Sequence, residues 1–261
     1  MLLVFDIGNT NITVGLFDDD VNQKSAKKVW RISSLLHKTT DEYGITLLDM
    51  FHYSGMDAGA VKFCAAASVV PSLNPAFAEL AKRYFGCEMF FINSNNCAGI
   101  ELLVKNPKEV GADRIANTAA AFLLFGGESI VVDFGTATTF DCISVDGKYL
   151  GGTIALGPYT ASQALSLKTA QLPHVEMKKA QKAIGTSTVD CIQAGLFFGY
   201  IGLIKEILLR IKKEMPVKHI IATGGLAYLI TPEIKEIEAI YPGLTLYGIK
   251  AIWEKSNTQK L

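Results

Sequence analysis

Two stretches of this chain end an apolar strand in the same way. "FDIGNTNIT", residues 5–13, follows Leu2, Leu3 and Val4 with Phe5, a carboxylate, a glycine and a run of small amide and hydroxyl side chains; "VDFGTATTF", residues 132–140, repeats that order after Ile130 and Val131. Aligned on Asp6 and Asp133, Gly8 falls on Gly135, Asn9 on Thr136 and Asn11 on Thr138. A carboxylate at a strand end can hold a hard cation, usually through water, and a following glycine lets the backbone approach a phosphate with no Cβ in the way. Backbone N–H groups of the turn, and the hydroxyls or amides after it, can then donate to phosphate oxygens. Either motif alone also fits an Asx-type turn that closes a hairpin. Two structural turns have no reason to share Asp, Gly and a polar run, so the repetition points to a duplication whose hairpins clamp a nucleotide from both sides. Neither GxxxxGK[ST] nor a GxGxxG after the first strand occurs, so this is not a P-loop or a dinucleotide-binding turn.

Each motif opens a block of the same grammar. "LLVFDIG", "NITVGLF" and "KKVWRIS" read as three short strands, followed by a helix from Thr40 to about Tyr53, a buried strand "VKFCAAAS", a helix after Pro71 to about Tyr84 and a strand near "EMFFI". In the second block "SIVVDFG", "TATTFDCISVDG" and "KYLGGTIAL" form three strands, with Asp146-Gly147 as the hairpin turn. A helix from about Thr160, a long helix from about Ser187 to Glu214, the strand "VKHIIATG", and a last strand and helix around "LTLYGIKAIWE" complete it. The alanine-rich helix "VGADRIANTAAAFLLFG" links the blocks. The expected architecture is α/β, with an N-terminal domain over residues 1–112 and a C-terminal domain over 113–261 that includes the linking helix.

Composition narrows the function. The 261 residues are 49% apolar and 19% charged, enough for one large domain or two modest ones with real cores. Lys and Arg balance Asp and Glu at 25 each, and no basic run offers a footprint for a phosphate backbone, so no nucleic-acid partner is expected. The five cysteines show no CxxC pairing and no histidine at ligand spacing, which reads as free thiols in a reducing compartment. The N-terminus carries no charged leader region. The most apolar helical stretch, "AGLFFGYIGLI", is 11 residues long, short of the roughly 18 a membrane span needs. A cytoplasmic protein with no membrane partner is the expectation.

"IIATGGLA" offers a further strand end. Gly224-Gly225 there suits either a nucleotide lying across a helix N-terminus or close strand-to-helix packing. Gly195, Gly199 and Gly202 on the long helix are read as sites of close helix packing.

"DIGNTN", "GADRIAN", "VVDFGTATTFD", "GGTIALGP", "AIGTSTVDCIQAG" and "ATGGLA", in this order across nearly the whole chain, resemble the type III pantothenate kinases of bacteria, members of the acetate and sugar kinase, Hsp70 and actin superfamily. The resemblance implies two ribonuclease H-like (actin-like ATPase) domains with a nucleotide cleft between them. It implies transfer of the ATP γ-phosphate to the hydroxyl of pantothenate, giving 4'-phosphopantothenate, the first step toward coenzyme A. It also implies Mg²⁺, a monovalent cation (K⁺ or NH₄⁺), and a homodimer with the pantothenate site close to the subunit interface.

Residue by residue, the ATP-binding hairpin falls on Asp6, Ile7, Gly8, Asn9, Thr10, Asn11, Ile12 and Thr13, with Asp6 acting on Mg²⁺, through water or directly. The second phosphate contact falls on Thr136 and the monovalent cation on Asp133. Asp113 takes the place of the catalytic base, and Gly111, Ala112, Asp113, Arg114 and Thr188 that of the pantothenate contacts. An Asp beside an Arg at a helix start is expected to stay ionised, and Arg114 suits a carboxylate substrate; the same pair could instead complement a helix dipole. Thr188 alone would read as a helix N-cap. The chain departs from the family where Val104 replaces a tyrosine that lines the pantothenate pocket, and where Leu156-Gly157-Pro158 replaces Pro-Gly. A nucleotide-driven switch, or a kinase for another small acid or sugar, are the competing readings; the GADR segment speaks against the switch, which has no use for a base aimed at a second substrate.

Overall fold

The computed structural model describes residues 1–258 apart from 19 and 21. Its contacts divide the chain into two compact units, 1–124 with 243–261, and 125–242.

The first unit is built on β1 (Leu2–Ile7), β2 (Asn11–Phe17), β3 (Lys28–Ser33), β4 (Phe63–Ser68) and β5 (Met89–Phe91), in the sheet order β3-β2-β1-β4-β5. β1, β2 and β3 pair antiparallel, whereas β4 and β5 run parallel to β1. β1 is buried on both faces. Leu3, Phe5 and Ile7 join one core with α1 (Thr40–Tyr53) and α2 (Asn74–Phe85); Leu2 and Val4 join another with α3 (Ala112–Phe125). The start of α1 follows from its chemistry, since Thr39 and Glu42 close a reciprocal capping box.

The second unit repeats the plan with β6 (Ser129–Phe134), β7 (Ala137–Ile143), β8 (Tyr149–Leu156), β9 (His219–Thr223) and β10 (Ala239–Ile240), in the order β10-β9-β6-β7-β8. The same strands are antiparallel and the same strands parallel. In β1 and in β6 the Asp is partly exposed while the other five residues are buried. The duplication read from two short motifs therefore extends to sheet order, strand direction and burial.

Three features differ from the sequence expectation. The turns are unequal: Gly8, Asn9 and Thr10 separate β1 from β2, but only Gly135 and Thr136 separate β6 from β7. Asp6 faces Thr13 and Asp133 faces Thr139, so Asn11 corresponds to Ala137 rather than to Thr138. The linking helix α3 belongs to the first unit rather than to residues 113–261, because Ile115, Ala116 and Ala119 pack with Leu2, Val4, Ala65 and Ala67. Finally, "LTLYGIKAIWE" holds no strand. It is the helix α7 (Leu244–Thr258), buried all round from 244 to 250, and a continuous apolar run of that kind carries no period to separate helix from strand. α7 returns to the first unit and fixes α3: a Cβ at Gly248 would strike the Ala116 carbonyl, and Thr245 Oγ1 donates to Asn117 Oδ1 at 2.8 Å.

Between β8 and β9 lie α4 (Pro158–Lys168) and α5 (Thr188–Glu214). α5 has the length read from the sequence, 27 residues, but its apolar window is longer than the 11-residue stretch, with a mean hydropathy of 1.5, enough by length and composition to cross a membrane. Its Phe197, Tyr200, Ile201, Ile204, Leu208 and Ile211 are instead buried in the core of the second unit, against Ile130, Val132 and Phe134.

Candidate active site

The first hairpin combines a buried frame with an exposed polar tip. Ile7 and Ile12 are fully buried, so they can offer a ligand only their backbone, whereas Asn9, Thr10 and Asn11 are exposed. Gly8 N donates to Asn11 O at 3.1 Å, and Ser34 N donates to Thr10 O at 3.0 Å, which pins the tip to the end of β3. Asp6 and Thr13 face each other across the ladder, both partly buried.

The "GADR" segment reaches that strand end through Val69. Val69 N donates to Ile7 O at 3.0 Å, and a Cβ at Gly111 would lie 3.3 Å from Val69 Cγ1 and against Asp113 Oδ1. Asp6, Gly111 and Asp113 are thus gathered near the C-terminal ends of the parallel strands β1 and β4, where open α/β sheets present their ligands. Ala112 is buried, Asp113 and Arg114 are partly buried, and Arg114 N donates to Asp113 Oδ1 at 2.7 Å. Burial raises the Asp113 carboxyl above its ordinary value, and the Arg114 backbone bond and charge oppose this without cancelling it. Desolvation is thus the larger effect on this carboxyl, and the Arg114 charge the smaller.

In the second unit Asp133 is ringed by close backbone. Gly224 has φ +90°, and a Cβ there would lie 2.5 Å from Asp133 Oδ1 and 2.6 Å from Phe134 N. Gly224 therefore serves a tight approach. The helix after it, α6 (Ala227–Ile230), spans only 4 residues and gives no N-terminal site. A Cβ at Gly157 would strike the Thr136 carbonyl, and Thr160 Oγ1 donates to that carbonyl at 2.9 Å, so the turn at Thr136 rests on the start of α4. The sequence reading missed Thr160; a hydroxyl two residues after "GP" was the available signal. It also missed Tyr200, whose hydroxyl shares a short hydrogen bond with the buried Thr138 and titrates above its ordinary value because of burial.

The type III pantothenate kinase family model matches residues 2–210. A type III pantothenate kinase of Endomicrobium trichonymphae is 56% identical over 98% of this chain and 99% of its own length. One from Moorella thermoacetica is 44% identical over 98% of this chain and all of its own. The chain belongs to the type III pantothenate kinases. Among solved structures, the activator of 2-hydroxyisocaproyl-CoA dehydratase from Clostridium difficile, with bound ADPNP, superposes with a TM-score of 0.55 at 13% identity over 99% of this chain and 97% of that one. Component A of (R)-2-hydroxyglutaryl-CoA dehydratase from Acidaminococcus fermentans gives 0.57 at 14% over 98% of both. At that identity the likeness shows a shared actin-like ATPase fold.

As a pantothenate kinase the chain uses ATP, and its oxygen donors can be compared with what a cation beside phosphate needs. Among the described residues no three His, Cys, Asp or Glu side chains cluster as a cage. Asp6 and Asp133 are single, partly exposed carboxylates at strand ends. Hard oxygen donors of this kind fit a cation that keeps waters and takes its other ligands from phosphate.

Two structural readings on α5 change in detail. The N-cap of α5 is Ser187, which accepts from Asp190 N at 3.1 Å, while Thr188 is the first helical residue and is exposed. The capping role thus falls on Ser187. Gly195, Gly199 and Gly202 meet nothing within 4 Å of an added Cβ, so they face outward rather than serving close packing in this chain.

Proposed function

We propose that this pantothenate kinase carries out γ-phosphate transfer with Asp113 as the proton acceptor. The observation that carries the reading is the Asp113 carboxylate itself, desolvated at the start of α3 and gathered with Gly111 near the first Asp-x-Gly strand end. As the pantothenate hydroxyl oxygen bonds to the γ-phosphorus and the bond from phosphorus to the β,γ-bridging oxygen breaks, Asp113 takes the hydroxyl proton and ADP leaves with the bridging oxygen. A carboxyl raised by burial holds that proton better than an ordinary aspartate would.

The residues 6–13 hairpin and Thr136 bind phosphate. Gly111, Ala112, Arg114 and Thr188 bind pantothenate. Asp6 would hold Mg²⁺, directly or through water, and Asp133 a potassium or ammonium ion; bound there, the cations neutralise phosphate charge. The outward face of α5, with Phe198 and Leu209 exposed beside Gly195 and Gly202, supports a homodimer. The protein works in the cytoplasm, in keeping with its five free thiols.

The test is phosphorylation of pantothenate with ATP and Mg²⁺, with potassium or sodium as the only monovalent cation. Product in potassium alone supports the reading. Equal rates in both salts contradict the cation assignment, and no product in either contradicts the whole.

A further inference from the structure

Two of the five cysteines meet. Cys64 is the second residue of β4, and Cys87 stands between the end of α2 and the start of β5. The parallel register sets Cys64 beside Met89, two residues after Cys87, and all three pack into the same core. Both cysteines sit on fixed backbone. Cys64 lies inside the ladder, while Cys87 N donates to Ala81 O at 3.2 Å in the turn where Gly86 ends α2 with φ +66°. The thiol of Cys64 donates a hydrogen bond to the sulfur of Cys87.

The two thiols are unlike. Cys64 is 1% exposed, whereas Cys87 is only partly buried and can be reached from solvent. The bond from Cys64 holds the Cys87 thiol below its ordinary value, against partial burial and the Glu88 charge; the same bond, with burial, pushes the Cys64 thiol up. Cys87 is thus the attacking sulfur and Cys64 its protonated partner. Core packing alone accounts for a cysteine as a small apolar residue, but it does not call for a second thiol in contact at the surface side. The other three cysteines have no such arrangement: Cys97 and Cys142 are buried in separate cores, and Cys191 is exposed on α5.

We infer that Cys64 and Cys87 form a reversible thiol–disulfide site whose oxidant is a hydroperoxide. The Cys87 thiolate attacks one oxygen of hydrogen peroxide, the O–O bond breaks, and the hydroxide released takes up the proton Cys87 had lost, giving water and a sulfenic acid. The Cys64 sulfur then attacks the Cys87 sulfur. The S–S bond forms, the S–O bond breaks, and the oxygen leaves with the Cys64 proton as a second water. Two thiols lose two electrons and one peroxide gains them. The bond ties β4 to the C-terminal turn of α2 and keeps Cys87 from the irreversible sulfinic and sulfonic acids. Where thiol reductants are abundant it lasts only as long as the peroxide does.

The experiment treats the reduced, folded protein with hydrogen peroxide, alkylates the remaining thiols after denaturation and maps the peptides by mass. In the wild type the first product should be a peptide pair bridged between Cys64 and Cys87, short of two hydrogens and returned by a thiol reductant. In Cys64→Ala, Cys87 should be trapped by dimedone as the sulfenic acid and, untrapped, go on to the sulfinic acid; in Cys87→Ala, Cys64 should stay reduced. The wild-type map decides the question even where a core variant fails to fold. Cys64 and Cys87 both alkylated while Cys191 oxidises would overturn the inference, and so would a bridge from either to another cysteine. Absence of a dimedone adduct in folded Cys64→Ala would overturn Cys87 as the attacking sulfur.

Discussion

The backbone N–H of Arg114 donates to Oδ1 of Asp113 at 2.7 Å, yet the carboxyl still sits above its ordinary value because burial outweighs that bond and the Arg114 charge. The folded state therefore binds the Asp113 proton more tightly than the unfolded chain does. Stability falls as pH rises from the ordinary aspartate range, about 3.9, through the raised native value, and above it the full cost of the buried charge stands. Asp113→Asn should raise Tm at pH 8, with the gain shrinking toward pH 4. A thermal melt series across that range checks it; a lower Tm for the variant at pH 8 would show the carboxylate to be stabilising.

Gly111 leaves room for the Asp113 carboxylate, since a Cβ there would meet Oδ1 and lie 3.3 Å from Val69 Cγ1. Gly111→Ala should displace Asp113 and lower kcat more than tenfold, with KM for ATP little changed. The overpacking should cost about 1–3 kcal/mol of stability. Kinetics and denaturant unfolding on one preparation separate the two effects.

Gly224 and Gly126 both have positive φ, +90° and +88°, but a Cβ at Gly224 would lie 2.6 Å from Phe134 N whereas one at Gly126 meets nothing within 4 Å. Gly126→Ala should therefore cost about 1 kcal/mol, from the strained backbone alone. Gly224→Ala should cost at least about 2 kcal/mol, because a collision with the β6 backbone is added to the strain. Equal unfolding free energies for the two variants would mean that the close approach at Asp133 is not tight.

Asp133→Ala should remove activation by potassium while leaving the fold intact, because its carboxylate is partly exposed and other backbone closes the strand end. Initial rates against potassium concentration test this. A variant that still responds to potassium places the ion elsewhere.

Much of the fold was legible because local chemistry states it. The helix read from Thr40 starts there in the structure, behind a capping box of Thr39 and Glu42, and the two Asp-x-Gly strand ends announce a duplication that the sheet orders bear out. What stayed hidden depends on the third dimension. The one-residue difference between the turns is fixed by ladder register, with Asp6 on Thr13 and Asp133 on Thr139, and a gapless alignment cannot show it. α7 is buried along its first two turns, so its apolar run has no period. The partner of Gly224 lies on another strand, and the raised carboxyl of Asp113 follows from burial, which neighbours in sequence do not report.

The most direct measurement is the single-turnover rate of Asp113→Asn with ATP and pantothenate, alongside its ATP affinity and the pH dependence of wild-type kcat/KM. The account predicts ATP binding within about twofold of wild type, turnover lower by about a hundredfold or more, and a wild-type acid limb at higher pH than an ordinary aspartate gives. Turnover at the wild-type rate would contradict it.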